Sequence, residues 1–102
     1  MTIYQKNKLI IKKYDSRRTM GEGAAAEVSG AIKKLLDAKP GIRMIFAAAP
    51  SQNEFLEALA RDRGIDFSRI TAFHMDEYVG LPADAPQGFG NFLRDRIFSK
   101  CP

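Results

Sequence analysis

The sequence predicts an α/β domain: a three-layer α/β/α arrangement on a parallel, Rossmann-like sheet. Three observations carry that prediction. Apolar runs at residues 8–14, 42–49 and 70–75 have the length of strands. The segments between and after them carry apolar residues every three to four positions, the period of an amphipathic helix. Caps and breakers separate the runs, so the order reads βαβαβα, which favours parallel strands joined by helical crossovers.

The chain has 102 residues, read as one α/β domain over 1–102. A domain near this size buries roughly two-thirds of the surface its unfolded chain exposes, enough for one core. With 45% hydrophobic and 27% charged residues, the composition excludes a disordered or low-complexity chain. The longest apolar stretch, residues 44–50, is far too short for a bilayer, so no membrane association is expected. The start, Met1-Thr2-Ile3-Tyr4-Gln5-Lys6, runs into further lysines and lacks the apolar centre of a signal peptide. One cysteine, Cys101, forbids an internal disulfide. A cytoplasmic protein is expected.

The net charge is +4, and much of the excess lies early, at Lys6, Lys8, Lys12, Lys13, Arg17 and Arg18. Lysines on an exposed strand discourage strand addition, which is one reading of the cluster. An anion-binding surface is the other. No aromatic residues are interleaved with these charges in a recognition pattern, so no nucleic acid is expected as partner.

The first strand is placed at residues 8–14, short and apolar in its middle. Asp15 or Ser16 can cap a helix that runs to about Ala38, with Met20, Ala24, Val28, Ile32 and Leu35 on its apolar stripe and Ala25, Ala31 and Leu36 widening it. Gly21, Gly23 and Gly30 weaken that helix by up to about 1 kcal/mol each. Close packing against a sheet would explain small residues there. Lys39-Pro40-Gly41 ends it. Residues 42–49 follow as a second strand, apolar on both faces apart from Arg43, which predicts a central strand covered above and below. Ser51-Gln52-Asn53-Glu54 fits a capping box for the next helix, which carries Phe55, Leu56, Leu59 and Ala60 on one face and stops at Arg63-Gly64. The third strand, residues 70–75, leads into an acidic loop, and Phe89, Phe92, Leu93 and Ile97 mark a last helix. Three parallel strands leave apolar edges and little helix to cover two faces, so the chain is expected to be part of a longer protein.

The third strand delivers Asp76 and Glu77 where it ends. Open α/β sheets place ligands at the carboxyl ends of their strands, so a carboxylate there is a candidate proton carrier. An ordinary acidic loop is the plain alternative. If strand geometry persisted, Asp76 and Glu77 would point to opposite faces and could not share one task. Asp76 is therefore assigned to the cleft, and Glu77 to backbone hydrogen bonds or a nearby cation. His74, two residues before Asp76, falls on the same side, which allows a supporting role or a histidine satisfied within the sheet. One histidine and one distant cysteine cannot furnish a ligand set, so no metal is expected. The amides of Ser51, Gln52 and Asn53, at the start of a helix, suit a phosphate; a well-capped helix and nothing more is the alternative.

The run Phe73-His74-Met75-Asp76-Glu77-Tyr78-Val79-Gly80-Leu81-Pro82 resembles the signature of the glucosamine-6-phosphate deaminase (isomerase) family, which shares a fold with 6-phosphogluconolactonases. The likeness covers the whole chain but only the N-terminal half of such an enzyme. It implies that Asp76 is the base that takes the proton from carbon 2 of an open-chain amino-sugar phosphate and returns it at carbon 1. Partial burial would raise its pKa and bring its two protonation states close in energy near neutral pH. Tyr78 implies a deaminase or isomerase, since lactonase-type members carry arginine there.

The family's working histidine belongs to an Asp-x-His motif, and no such motif occurs here, so this chain alone is expected to be inactive. Its phosphate loop has a Thr-Gly-Ser/Gly-Thr/Ser-Pro pattern. Here Ala49-Pro50-Ser51-Gln52-Asn53 stands in its place, with no amide at Pro50 and no hydroxyl at Ala49. A second departure follows Pro86, where Gln87-Gly88-Phe89 replaces a histidine-centred pattern. The resemblance implies a sugar-phosphate substrate, no cofactor, and a homo-oligomer for the complete protein. A non-catalytic sugar-phosphate-binding or protein-interaction module, or a lactonase-like hydrolase, are the alternatives.

Overall fold

The structure, a computed structural model, describes residues 1–47, 49–77, 79–80, 88, 93–94 and 96–97. The expected last helix falls partly outside this set, as do Phe89 and Phe92. Of its predicted face, Leu93 and Ile97 are buried in the core, and the Ile97 amide donates to the Leu93 carbonyl over 2.9 Å.

The chain begins with a strand that the sequence reading did not place. β1 (Thr2–Lys6) pairs antiparallel with β2 (Leu9–Lys13), and Asn7 turns the hairpin with a φ of 56°. Asparagine tolerates that left-handed conformation better than most residues, and its placement between two apolar runs is the hairpin signal. The predicted first strand is therefore half of a separate two-stranded sheet and does not join the parallel one. Every residue of β1 and β2 is exposed, Ile3, Leu9, Ile10 and Ile11 included. The hairpin is tied to the body by the Lys12 ammonium on Glu27 at 2.6 Å and by Tyr14, whose ring lies where a Cβ on Gly23 would be.

α1 (Arg17–Ala38) starts at Ser16, whose hydroxyl accepts from the Thr19 amide over 3.1 Å while Thr19 Oγ1 accepts from the Ser16 amide over 3.2 Å. These reciprocal bonds satisfy two donors that a helix start otherwise leaves unpaired. Its buried positions are Gly21, Ala25, Ser29, Ile32 and Leu36, so the inward stripe is rotated by one residue from the predicted one; Met20 and Leu35 face solvent. The rotation is set by α2 (Asn53–Ala60), against which α1 packs. A Cβ on Gly21 would lie 2.8 Å from Glu54 Cβ and 2.9 Å from the Phe55 amide. The small residue thus permits a helix–helix contact rather than the helix–sheet contact predicted. Gly30, with nothing within 4 Å of its missing Cβ, has no such role.

At the other end of α1, Arg69 donates to the carbonyls of Leu36 at 2.7 Å, Lys39 at 2.6 Å and Pro40 at 2.8 Å. A helix end leaves its last carbonyls unpaired and carries partial negative charge, and a guanidinium meets both needs.

β3 (Ile42–Phe46) and β4 (Ile70–His74) form the parallel pair, with Ile42 opposite Ile70 and Phe46 opposite His74. One face, carrying Ile42, Met44, Phe46 and Ile70, packs on Leu36, Leu56, Leu59 and the rest of the core. Burying a leucine as fully as Leu56 or Leu59 contributes about 1.5–3 kcal/mol relative to leaving it in water. The other face was predicted to be covered too. It is not, among the described residues: Ile45 is 69% exposed and Phe73 50%. Two of the three expected layers are thus present among the described residues. β3 also ends earlier than predicted, at Phe46, and β4 at His74.

Gly21→Ala is expected to lower the unfolding free energy by about 1–3 kcal/mol through overpacking against α2. Gly30→Ala should leave it unchanged or raise it by up to about 1 kcal/mol. Denaturant titration of both variants checks this; equal effects would contradict the packing.

Candidate active site

β3 and β4 are neighbours and parallel, so the chain leaves both at one end of the sheet. The amide of Met75 extends the ladder by one bond, to the Phe46 carbonyl at 2.9 Å. Beyond this end lie residues 47 and 49–52 after β3 and 75–77 after β4, which include Ser51, Gln52, Asp76 and Glu77. Ligands of open α/β sheets bind at such carboxyl ends.

On the β4 side, the structure joins His74 to Asp76. The His74 side chain is 8% exposed, and its Nδ1 lies 3.3 Å from Asp76 Oδ1 and 3.0 Å from the Asp76 amide. The Asp76 carbonyl also contacts Nδ1. With its proton on Nε2 alone, Nδ1 accepts from the amide; with Nδ1 protonated, the ring donates to oxygen. Either way the imidazole fixes the first residues of the loop. The Asp76 carboxylate is 70% exposed, so the partial burial expected from the sequence is not present. Because β4 ends at His74, the strand alternation used to separate Asp76 from Glu77 does not reach them. Glu77 is exposed, as is Val79, and Gly80 turns the loop with a φ of 88°. Tyr78 lies outside the described residues.

On the β3 side, Pro50–Gln52 forms a 3-10 turn ahead of α2. The predicted capping box does not form here. α2 is capped at Gln52 without a side-chain hydrogen bond, and Glu54 turns to Arg17 instead. The Gln52 amide donates to the Ala49 carbonyl over 2.8 Å and the Asn53 amide to the Pro50 carbonyl. Two of the three amides expected to face a phosphate are therefore engaged in the turn. Ser51 is exposed, and its hydroxyl has no partner among the described residues. Asn53 Oδ1 is buried without a hydrogen-bond partner among the described residues. Ser51 and Gln52 line an open cavity of about 250 Å³ with Arg17, Met20, Gly21, Ala24 and Phe55.

Arg17 is the site residue that sequence reasoning passed over as one member of a basic cluster. Its Nε donates to Glu54 Oε2 over 2.7 Å, and Nη2 donates to the Pro50 carbonyl. A helix start antiparallel to the strands sits at their carboxyl ends, which is a topological fact that a linear charge count does not contain. No hydrogen bond or ion pair joins Asp76 to residues 51–53 among the described residues, and the cavity at Ser51 is not lined by Asp76. No group of three His, Cys, Asp or Glu side chains able to hold a metal occurs among the described residues. No described helix is long and apolar enough to cross a membrane.

The fold defines the class first. A crystal structure from Neisseria gonorrhoeae, named as a 6-phosphogluconolactonase, matches with a TM-score of 0.76 at 19% identity, over 85% of this chain and 37% of that one. The chain has that α/β fold, in part. Sequence then narrows the class. The chain is 41% identical over 73 residues to glucosamine-6-phosphate deaminase of Pseudarthrobacter chlorophenolicus, covering 66% of this chain and 28% of the relative. It is 33% identical over 82 residues to that of Rhodopirellula baltica, covering 78% and 33%. To glucosamine-6-phosphate deaminase 2 of Giardia intestinalis it is 32% identical over 80 residues, covering 76% and 30%. By sequence the chain is similar to glucosamine-6-phosphate deaminases, and it spans about a third of the length of the curated relatives it matches. No family model matches it.

Two carboxyls near this framework are held below the ordinary range. Glu54 is lowered chiefly by its hydrogen bond from Arg17. Asp62 is lowered chiefly by the Ser29 hydroxyl, then by the Gly64 amide at 2.9 Å and by Lys33 at 3.1 Å. A carboxyl whose folded-state pKa is depressed contributes stability above its unfolded value and loses it as pH falls through the folded one. The thermal midpoint should therefore hold near neutrality and fall on acidification below about pH 4, the ordinary carboxylate range. Asp62→Asn should shrink that acid-dependent drop, and an identical pH profile in the variant would remove Asp62 from it.

Proposed function

We propose that this chain is part of a cytoplasmic amino-sugar-phosphate isomerase or deaminase, formed over 1–102 as one α/β unit, in which Asp76 is the proton carrier. The observation that carries the reading is the position of Asp76, two residues beyond the end of β4, at the carboxyl end of the parallel pair, inside the run Phe73 to Pro82. Similarity to glucosamine-6-phosphate deaminases supports that chemistry at this position.

In this mechanism the ionised Asp76 carboxylate removes the proton from carbon 2 of the open-chain amino sugar. The electron pair moves to make an enol-type intermediate, and the same carboxyl returns the proton at carbon 1. A single group serves both steps because it is a base when ionised and an acid once loaded. Loss of nitrogen, where it follows, is hydrolysis of the resulting imine at carbon 2 with release of ammonia. The His74 ring, in contact with the Asp76 main chain and carboxylate, holds the base in place. Ser51, Gln52 and Asn53 lie on the phosphate side, with Glu77 and Tyr78 supporting the acidic loop. None of these steps calls for a cofactor or metal.

The exposed Asp76 carboxylate and the engaged amides of Gln52 and Asn53 favour a second reading, a non-catalytic sugar-phosphate-binding module. The test is to assay glucosamine 6-phosphate for ketose and ammonia release with this chain and with a protein extending it to its relatives' length. This chain alone should show no turnover. In the extended protein, Asp76→Asn should lower exchange of the carbon-2 hydrogen with solvent by about 10²–10⁴-fold, the usual contribution of a positioned base. Undiminished exchange would assign the base elsewhere, and phosphate binding without any exchange would select the module.

A further inference from the structure

The cavity between α1 and the 50–53 turn poses a charge problem. A phosphate there would meet a loop stripped of donors: Pro50 has no N–H, Ala49 no hydroxyl, and the Gln52 and Asn53 amides are already engaged. The Ser51 hydroxyl alone cannot neutralise a dianion. Arg17 is the cation that lines this cavity. Its guanidinium currently faces a carboxylate, Glu54, at 2.7 Å.

We propose that Arg17 is a phosphate-binding residue of this cavity, and that Glu54 holds its guanidinium in place until a phosphate monoester displaces the carboxylate. The inference rests on the reading of Ser51 to Asn53 as the phosphate side of the site. Three features support it. The guanidinium has five N–H donors, and its Nη1 group has no partner among the described residues, so a second anion can be met without first breaking the existing pair. The Arg17 side chain is 56% exposed, whereas Glu54 is 18% exposed, so an incoming anion reaches the cation before the carboxylate. The bond from Nη2 to the Pro50 carbonyl keeps the guanidinium beside the turn even if Glu54 lets go. A planar guanidinium matches two phosphate oxygens at once, which a compact ammonium does not.

A purely structural Arg17–Glu54 pair makes a different prediction, which separates the two roles. Removing either partner breaks the same ion pair, so a structural role requires both variants to act alike. A ligand role requires opposite signs. The experiment titrates inorganic phosphate and glucosamine 6-phosphate into the chain while following the amide signals of Ser51, Gln52 and Asn53. Arg17→Gln should weaken binding about tenfold, the equivalent of one charge-assisted hydrogen bond. Glu54→Gln should tighten it several-fold, because the competing carboxylate is gone. Arg17→Lys, which keeps the charge and loses the fork, should fall between wild type and Arg17→Gln, and it carries the test if the glutamine variant does not fold. Glucosamine without phosphate should move none of the three signals. Affinities that fall together in Arg17→Gln and Glu54→Gln, or that stay at the wild-type value in both, overturn the role of Arg17 and leave the phosphate side standing. Wild-type signals that respond to neither phosphate probe overturn both.

Discussion

The close approach of α1 to α2 at Gly21 is the constraint on which the candidate site depends. With no side chain at that position, the first turn of α1 lies against Glu54 and Phe55. Arg17, one turn earlier on the same helix, is thereby brought within reach of both Glu54 and the Pro50 carbonyl. The turn that follows β3 is thus held from outside, by a side chain from another helix, rather than by a cap of its own. That arrangement also explains why the inward stripe of α1 runs through Gly21, Ala25 and Ser29: the helix rotates to present its smallest residues to its neighbour. Close packing rewards backbones that can approach, and a residue with no side chain sets where that happens.

The sheet contributes a different kind of constraint. Parallel pairing of β3 with β4 sends both chains out at one edge, and the core beneath them, from Leu36 through Leu56 and Leu59, makes that edge a rigid base. The two exits then diverge in character. After β4, a nearly buried histidine grips the main chain of Asp76 and leaves the carboxylate in water. After β3, a 3-10 turn spends its amides on its own carbonyls and leaves a hydroxyl and a neighbouring cation. The two exits thus present a carboxylate in solvent on one side and a hydroxyl beside a guanidinium on the other. Among the described residues the face of Ile45 and Phe73 is uncovered, and the chain spans about a third of the length of the curated relatives it matches.

Much of this was legible in order along the chain. Ser16 as a cap, Lys39-Pro40-Gly41 as a stop, and the parallel strands at Ile42 and Ile70 follow from local rules that act over a few residues. Asn7, between two strand-like runs, carries the turn of the hairpin as well. The capping box at Ser51 shows the opposite case. Its pattern is correct, yet Glu54 finds a stronger partner in Arg17, thirty-seven residues away in sequence. The packing of α1 on α2 brings the Arg17 guanidinium within reach of Glu54, an approach that no local pattern encodes.

The sequence by itself determined α1, α2, the parallel strands β3 and β4 and their order, and the acidic loop in which Asp76 sits, because helix and strand periods, breakers and a ten-residue motif are all written in consecutive positions. Tertiary structure alone decided which face of α1 turns inward, that Arg69 closes the carbonyl end of α1, that His74 holds Asp76, and that Arg17 reaches Glu54 and the Pro50 carbonyl. Each of these depends on which atoms meet across long separations in the chain. Periodicity reports that a surface is apolar or charged; only packing selects its partner.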